Sequence, residues 1–170
     1  QSAPALFGSF QTSEIKKLIS SEESIKLEFK STFAWDIKKK QKNKNLQLMT
    51  IKSIAGFLNN EGGNLLIGIN DDNQIVGLDE EIEKLHKGNN DKFLNDLKNV
   101  LSHNIGIENF PNFNYNIKII EGKKILIFDC IPSPEPVYVE NDFYVRTHPA
   151  TDKLEGKAVI KYIKKHWPDY

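Results

Sequence analysis

Three carboxylates in this sequence stand where they could hold a divalent cation. Glu23 and Glu28 are separated by four residues, and Asp71 follows the apolar run Leu65-Leu66-Ile67-Gly68-Ile69. Glu28 falls inside Lys26-Leu27-Glu28-Phe29-Lys30, whose alternation predicts a half-buried strand with Glu28 facing away from Leu27 and Phe29. A hard cation such as Mg²⁺ or Mn²⁺ takes several oxygen ligands, and phosphodiester hydrolysis uses it to activate water and neutralise developing charge. Lys30, two residues beyond Glu28 on the same strand face, would lie near a scissile phosphate. The plainer reading is that such carboxylates are solvated, and that Asp71 merely belongs to the turn Asn70-Asp71-Asp72-Asn73.

The cations are unevenly spread. The 23 basic residues are balanced by 23 acidic ones, so net charge gives no ground for a polyanionic partner and distribution must supply it. Residues 36–45 hold Lys38, Lys39, Lys40, Lys42 and Lys44 with almost no apolar content, which predicts a mobile surface loop. Such a run is either a solvated face or a phosphate-tracking arm, in which each neutralised phosphate releases counterions. Lys157, Lys161, Lys164 and Lys165 could extend the same patch. Arg146 is the only arginine, where lysine fills every other basic position. Its planar fork suits either a phosphate or an internal carboxylate such as Glu28.

Other chemistries are excluded or unsupported. Cys130 is the only cysteine, which rules out an internal disulfide and any zinc site needing two thiolates, and fits a reducing, cytoplasmic location. The four histidines lack paired metal spacing, and no Gly-x-x-x-x-Gly-Lys-Ser/Thr loop occurs. No apolar stretch is long enough to span a membrane. The glycines of Asn59-Asn60-Glu61-Gly62-Gly63 are first explained by a positive φ between helix and strand. Tyr138 and Tyr144 read as sheet packing rather than base-stacking platforms.

The elements that must position these residues follow from periodicity. Residues 1–12 predict a flexible N-terminal arm or tag remnant, and 13–170 one domain; with Met49 the only methionine, the start reads as processed or excised. Ser13 is placed to cap a short helix through Ile19, and residues 46–60 predict a helix stopped by Gly62-Gly63. Leu65–Ile69 and Gln74–Gly77 predict a hairpin, Asp79–His86 and Asp91–Ser102 two helices. Tyr115–Ile119 pairs with Lys124–Phe128 across Glu121-Gly122, and Val137–Glu140 with Phe143–Thr147. A final helix over 153–167 turns Val159, Ile160, Ile163 and Trp167 to the core. Hairpins with interspersed helices predict an α+β fold, a mixed and mostly antiparallel curved sheet flanked by helices.

Three segments, Glu23–Lys30, Ile54–Asp71 and Phe143–Thr147, together resemble the Alba-like domain of Schlafen proteins and of many bacterial proteins regarded as DNA-binding. The resemblance implies a single Schlafen-like lobe that binds DNA or RNA, with structured RNA such as transfer RNA favoured. Some members are metal-dependent endoribonucleases whose cation is held by two glutamates in an E-x4-E arrangement and one aspartate. By that likeness Glu23, Glu28 and Asp71 would be the catalytic, metal-holding set for Mg²⁺ or Mn²⁺. Lys30, Arg146 and the lysines of 36–45 would then meet phosphate. A single lobe would offer half a cradle, which a symmetric homodimer would complete. The alternatives are a non-catalytic nucleic-acid-binding module of a regulator, or a protein-interaction domain.

Overall fold

The structure is a computed structural model that describes residues 10–170; most of the arm expected over 1–12 lies outside the described residues. In chain order the elements are α1 (Thr12–Ile19), β1 (Leu27–Lys30), β2 (Trp35–Asp36), β3 (Gln41–Lys42), α2 (Lys44–Leu58) and β4 (Gly63–Ile67). Then follow α3 (Asp79–His86), α4 (Asn90–Asn104), β5 (Phe113–Ile120), β6 (Lys123–Cys130), β7 (Tyr138–Val139), β8 (Asp142–Thr147), β9 (Ala150–Leu154) and α5 (Lys157–His166).

Four strands form the central sheet in the order β1-β4-β6-β5, with β1 parallel to β4 and the other neighbours antiparallel. The hairpin expected from Leu65–Ile69 and Gln74–Gly77 is replaced by this arrangement. Leu65, Leu66 and Ile67 are all buried, so β4 is covered on both faces and takes a central place between β1 and β6. Residues 74–77 keep only a bridge from Ile75 to Ile69, while the amides of Val76 and Gly77 both donate to Gly68 O.

One face of the sheet packs on α2, α3 and α4 through a core that includes Ile54, Phe57, Leu65, Phe93, Leu97 and Phe128. The other face packs on α1 through Ile15, Ile19, Leu27, Phe29, Leu66 and Ile127. α1 begins one residue before the expected Ser13 cap, and Gln11 N–H donates to Glu14 Oε1 at 3.3 Å. β5 and β6 meet across Glu121 and Gly122, both at positive φ, as a tight hairpin requires.

β7, β8 and β9 form a second antiparallel sheet over α2. β9 takes residues 150–154, so the last helix starts at Lys157 rather than Lys153, after Gly156 at φ +56°. α5 is only half sunk: Val159, Ile163 and Trp167 are partly covered, whereas Ile160, expected in the core, is 56% exposed. Tyr162 Oη donates to Asn59 O at 2.5 Å and Trp167 Nε1 to Ser133 O at 2.9 Å, which hold the helix by its polar tips.

Candidate nucleic-acid interface

β1 turns Leu27 and Phe29 into the α1 core and Glu28 to the opposite side, as its alternation predicts. There Glu28 meets Arg146 of β8, with Nη1 and Oε1 2.9 Å apart. The Arg146 side chain has no exposed surface. Nη2 donates to Ser24 O at 2.6 Å, Nε to Ile25 O at 3.3 Å and Nη1 also to Thr151 Oγ1 at 3.1 Å, and the guanidinium lies 4.4 Å from the Phe57 ring centroid. The lone arginine is therefore an internal clamp between β8, the turn before β1 and α2. Its expected contact with phosphate is corrected by this enclosure, because no part of the fork faces solvent. Gly56 keeps the approach open: a Cβ there would stand 3.2 Å from Thr151 Cγ2 and 3.4 Å from Arg146 Cδ.

The other Glu28 oxygen, Oε2, receives no hydrogen bond and faces Lys30 Nζ at 3.4 Å. Lys30 thus neutralises Glu28, and it also lines a cleft of about 310 Å³ together with Phe29, Ser31, Thr32, Leu46, Met49 and Asp71. Glu23 points elsewhere, its Oε1 accepting the Phe29 amide at 2.8 Å. Asp71 is exposed in its turn, where Asn70 Oδ1 accepts the amides of Asp72 and Gln74. Among the described residues no three His, Cys, Asp or Glu side chains gather closely enough to hold a metal ion. The donor set Glu23, Glu28 and Asp71 therefore does not fit Mg²⁺ or Mn²⁺ in this geometry: one carboxylate caps an amide, one neutralises arginine and lysine, and one stands alone.

The lysine segment is a short β-ribbon rather than a mobile loop. β2 and β3 pair antiparallel, and Asp36 Oδ1 accepts the amides of Lys38 and Lys39 at 3.0 and 2.9 Å, folding the tip. Lys40 completes the turn at φ +52° and its Nζ lies 2.6 Å from Glu80 Oε1, holding the Glu80 carboxyl below its ordinary range. Lys38, Lys39, Lys42 and Lys44 are exposed and, among the described residues, form no salt bridge. The ribbon borders the cleft of Lys30, since Thr32 precedes it and Leu46 follows it.

Glu81 is absent from the candidates that spacing suggests, yet it anchors this ribbon. It is 1% exposed, and its two oxygens accept the Phe33 and Ala34 amides, each at 2.9 Å. Burial pushes its pKa from 4.5 up to about 7, against the pull of those amides. A signal exists: positions 78, 81, 82 and 85 form one helical stripe of Leu, Glu, Ile and Leu, with the glutamate on the apolar side. Asn59 is a second unforeseen anchor. Its Nδ2 donates to Val137 O and Tyr144 O and its Oδ1 accepts the Val137 amide, all at 2.8 Å. The neighbouring glycines are structural, as expected: at Gly62, φ +75°, a Cβ would stand 2.3 Å from Cys130 O.

Fold and site together define an α+β domain with its arginine locked inside and several exposed lysines set on a short ribbon beside a cleft. The family model described as Schlafen, AlbA_2 matches residues 23–155, and the chain belongs to that family. Membership suggests a nucleic-acid-binding domain. Among solved structures the chain is similar to the DIP2311 protein from Corynebacterium diphtheriae, with a TM-score of 0.58 and 15% identity over 91% of this chain and 28% of that one. At that identity the likeness is one of fold, and this chain spans little more than a quarter of the other's length. No curated protein matches the chain.

Proposed function

We propose that this domain binds the phosphate backbone of nucleic acid without cleaving it, through Lys38, Lys39 and Lys42 of the β2–β3 ribbon and Lys44 at the start of α2, with Lys30 lining the adjoining cleft. The observation that carries the reading is the ribbon: a chain of net charge zero sets Lys38, Lys39 and Lys42 on an exposed, hydrogen-bonded ribbon with Lys44 just beyond it, none of the four in a salt bridge among the described residues. Lysines so placed act as point charges on phosphates and release counterions, giving affinity that tolerates sequence and falls with salt. Phosphate contact alone does not separate RNA from DNA. Structured RNA such as transfer RNA is the favoured ligand, with duplex DNA tested beside it. A cytoplasmic site of action accords with the free, buried Cys130.

Metal-dependent cleavage has weaker support, because Glu28 already pairs with Arg146 through Oε1 and faces Lys30 with Oε2, and among the described residues no second and third ligand gather beside it. A symmetric homodimer would give the ribbon a facing wall. Its proposed seam is β5, the edge of the central sheet, where Ile119 is 67% exposed.

The test is a titration of labelled transfer RNA and duplex DNA across salt concentrations, for wild type and for the chain with Lys38, Lys39, Lys40, Lys42 and Lys44 changed to Gln. Each phosphate that is no longer neutralised lowers the slope of log affinity against log salt by about 0.7–0.9. An unchanged slope removes the ribbon from the interface.

A further inference from the structure

The chain leaves the core at Trp35, runs out along the ribbon and returns at Asn43, so the ribbon's direction is decided at its root. Ala34 is held there from both sides. Its N–H donates to Glu81 Oε2 at 2.9 Å, and its C=O accepts the Asn43 amide at 2.8 Å, where Asn43 also caps α2 by accepting the Asn45 amide. Glu81 Oε1 accepts the Phe33 amide at 2.9 Å, and Thr32 Oγ1 donates to Trp35 O at 2.6 Å. At the far end Lys40 is tied to Glu80, the residue beside Glu81 on α3. The first turn of α3 therefore grips the ribbon at root and tip.

We propose that Glu81 is a positioning residue of the nucleic-acid interface: by holding two consecutive amides it fixes the angle at which the ribbon leaves the domain, so that its lysines meet successive phosphates together. The inference rests on the reading of the ribbon given above. Adjacent amides need two acceptors side by side, which the ionised carboxylate, the form held above about pH 7, supplies and an amide side chain does not, since the NH₂ of Gln would confront one of the two N–H groups. Burying a carboxylate beside Asp96 of α4, whose charge opposes its ionisation, is unfavourable. The cost is explained if the root must be rigid; a chain needing only a covered core would place an apolar residue on this stripe. Fixing the root removes ribbon entropy before binding, which raises affinity without any new contact.

Positioning and general support of the fold separate in a double-mutant cycle. Glu81→Gln, the five-lysine change to Gln, and their combination are titrated with transfer RNA across salt, and each is melted by circular dichroism. A positioning role makes Glu81→Gln lower affinity about tenfold and shift the salt slope toward that of the five-lysine protein. In the combined protein the Glu81 change then costs nothing further. If Glu81→Gln does not fold, Glu81→Asp, which keeps the charge and shortens the reach, is carried through the same cycle. Wild-type affinity in a folded Glu81 variant, or equal losses with and without the lysines, overturns the inference while leaving the ribbon reading intact. A five-lysine protein that binds as wild type overturns the ribbon reading, and the inference with it.

Discussion

Glu28→Gln distinguishes a carboxylate that serves a metal from one that serves the fold. If Glu28 were a ligand in waiting, its charge would be a burden on the empty protein, and the amide would leave stability unchanged or raise it. The structure instead pairs it with an arginine whose side chain has no exposed surface. Removing one partner of a buried pair leaves an uncompensated charge, at a cost of about 3–5 kcal/mol. Three remaining contacts soften this, because Ser24 O, Ile25 O and Thr151 Oγ1 still accept from the guanidinium, and Gln retains one acceptor. A loss of about 2–4 kcal/mol follows, or roughly 5–15 °C in Tm for a chain of this size. Thermal and urea unfolding of wild type, Glu28→Gln and the joint change Glu28→Leu with Arg146→Met provide the measurement. The joint change, which removes both charges, should recover at least half of the loss. A Tm in Glu28→Gln equal to or above wild type refutes the reasoning.

Glu81 gives a pH dependence of definite sign. Its carboxyl is raised from 4.5 to about 7, so between those values the folded chain holds a proton that the unfolded chain has released, and its contribution to stability falls as pH rises. The full change is on the order of 3 kcal/mol, and urea unfolding at pH 5 and pH 7.5 should show the wild-type decline reduced in Glu81→Gln. Addition of Mn²⁺ or Mg²⁺ should leave Tm unchanged within about 1 °C, and transfer RNA incubated with either should stay intact; cleavage abolished by a chelator counts against the non-catalytic reading. Light scattering should give twice the chain mass, and Ile119→Lys at the β5 edge should return it to one; a wild-type monomer, free and with RNA bound, excludes the dimer.

What is legible in the sequence is local. Periodicity delimits α3 to the residue, from Asp79 to His86, and the Glu121-Gly122 turn is visible because a two-residue hairpin needs positive φ at both positions. The sheet order is not legible, since β4 reads alike whether it pairs with the next segment or sits between β1 and β6. β9 escapes because Thr151, Asp152 and Lys153 have no apolar alternation; its order comes from pairing with β8, where Tyr144, Val145 and Arg146 stand opposite Lys153, Asp152 and Thr151. The ribbon escapes for the opposite reason. Its lysines carry no strand signal, and its order comes from Asp36 and Glu81, the latter 45 residues downstream of the former. At the site, periodicity correctly separates Glu28 from Leu27 and Phe29 but does not say what faces it. It leaves Arg146 between phosphate and carboxylate, and only the crossing of β8 over α2 resolves that choice.

The clamp also bears on how a member of this family can keep the E-x4-E spacing while its two glutamates are engaged by the fold. A cation at Glu28 would meet Oε2, which Lys30 Nζ already faces at 3.4 Å, and would stand close to the buried Arg146 guanidinium that Oε1 holds. Displacing Lys30 and setting a second positive charge near that guanidinium both subtract from whatever the cation gains, so an unengaged carboxylate would hold it more tightly. Glu23 would in addition have to release the Phe29 amide that shapes the entry to β1. Spacing is thus satisfied while availability is not, because the motif's carboxylates are occupied by the fold before any ligand arrives. A ligand that asks nothing of them, such as a phosphate meeting the lysines of the ribbon, is free of that penalty, and this asymmetry favours backbone binding over cleavage.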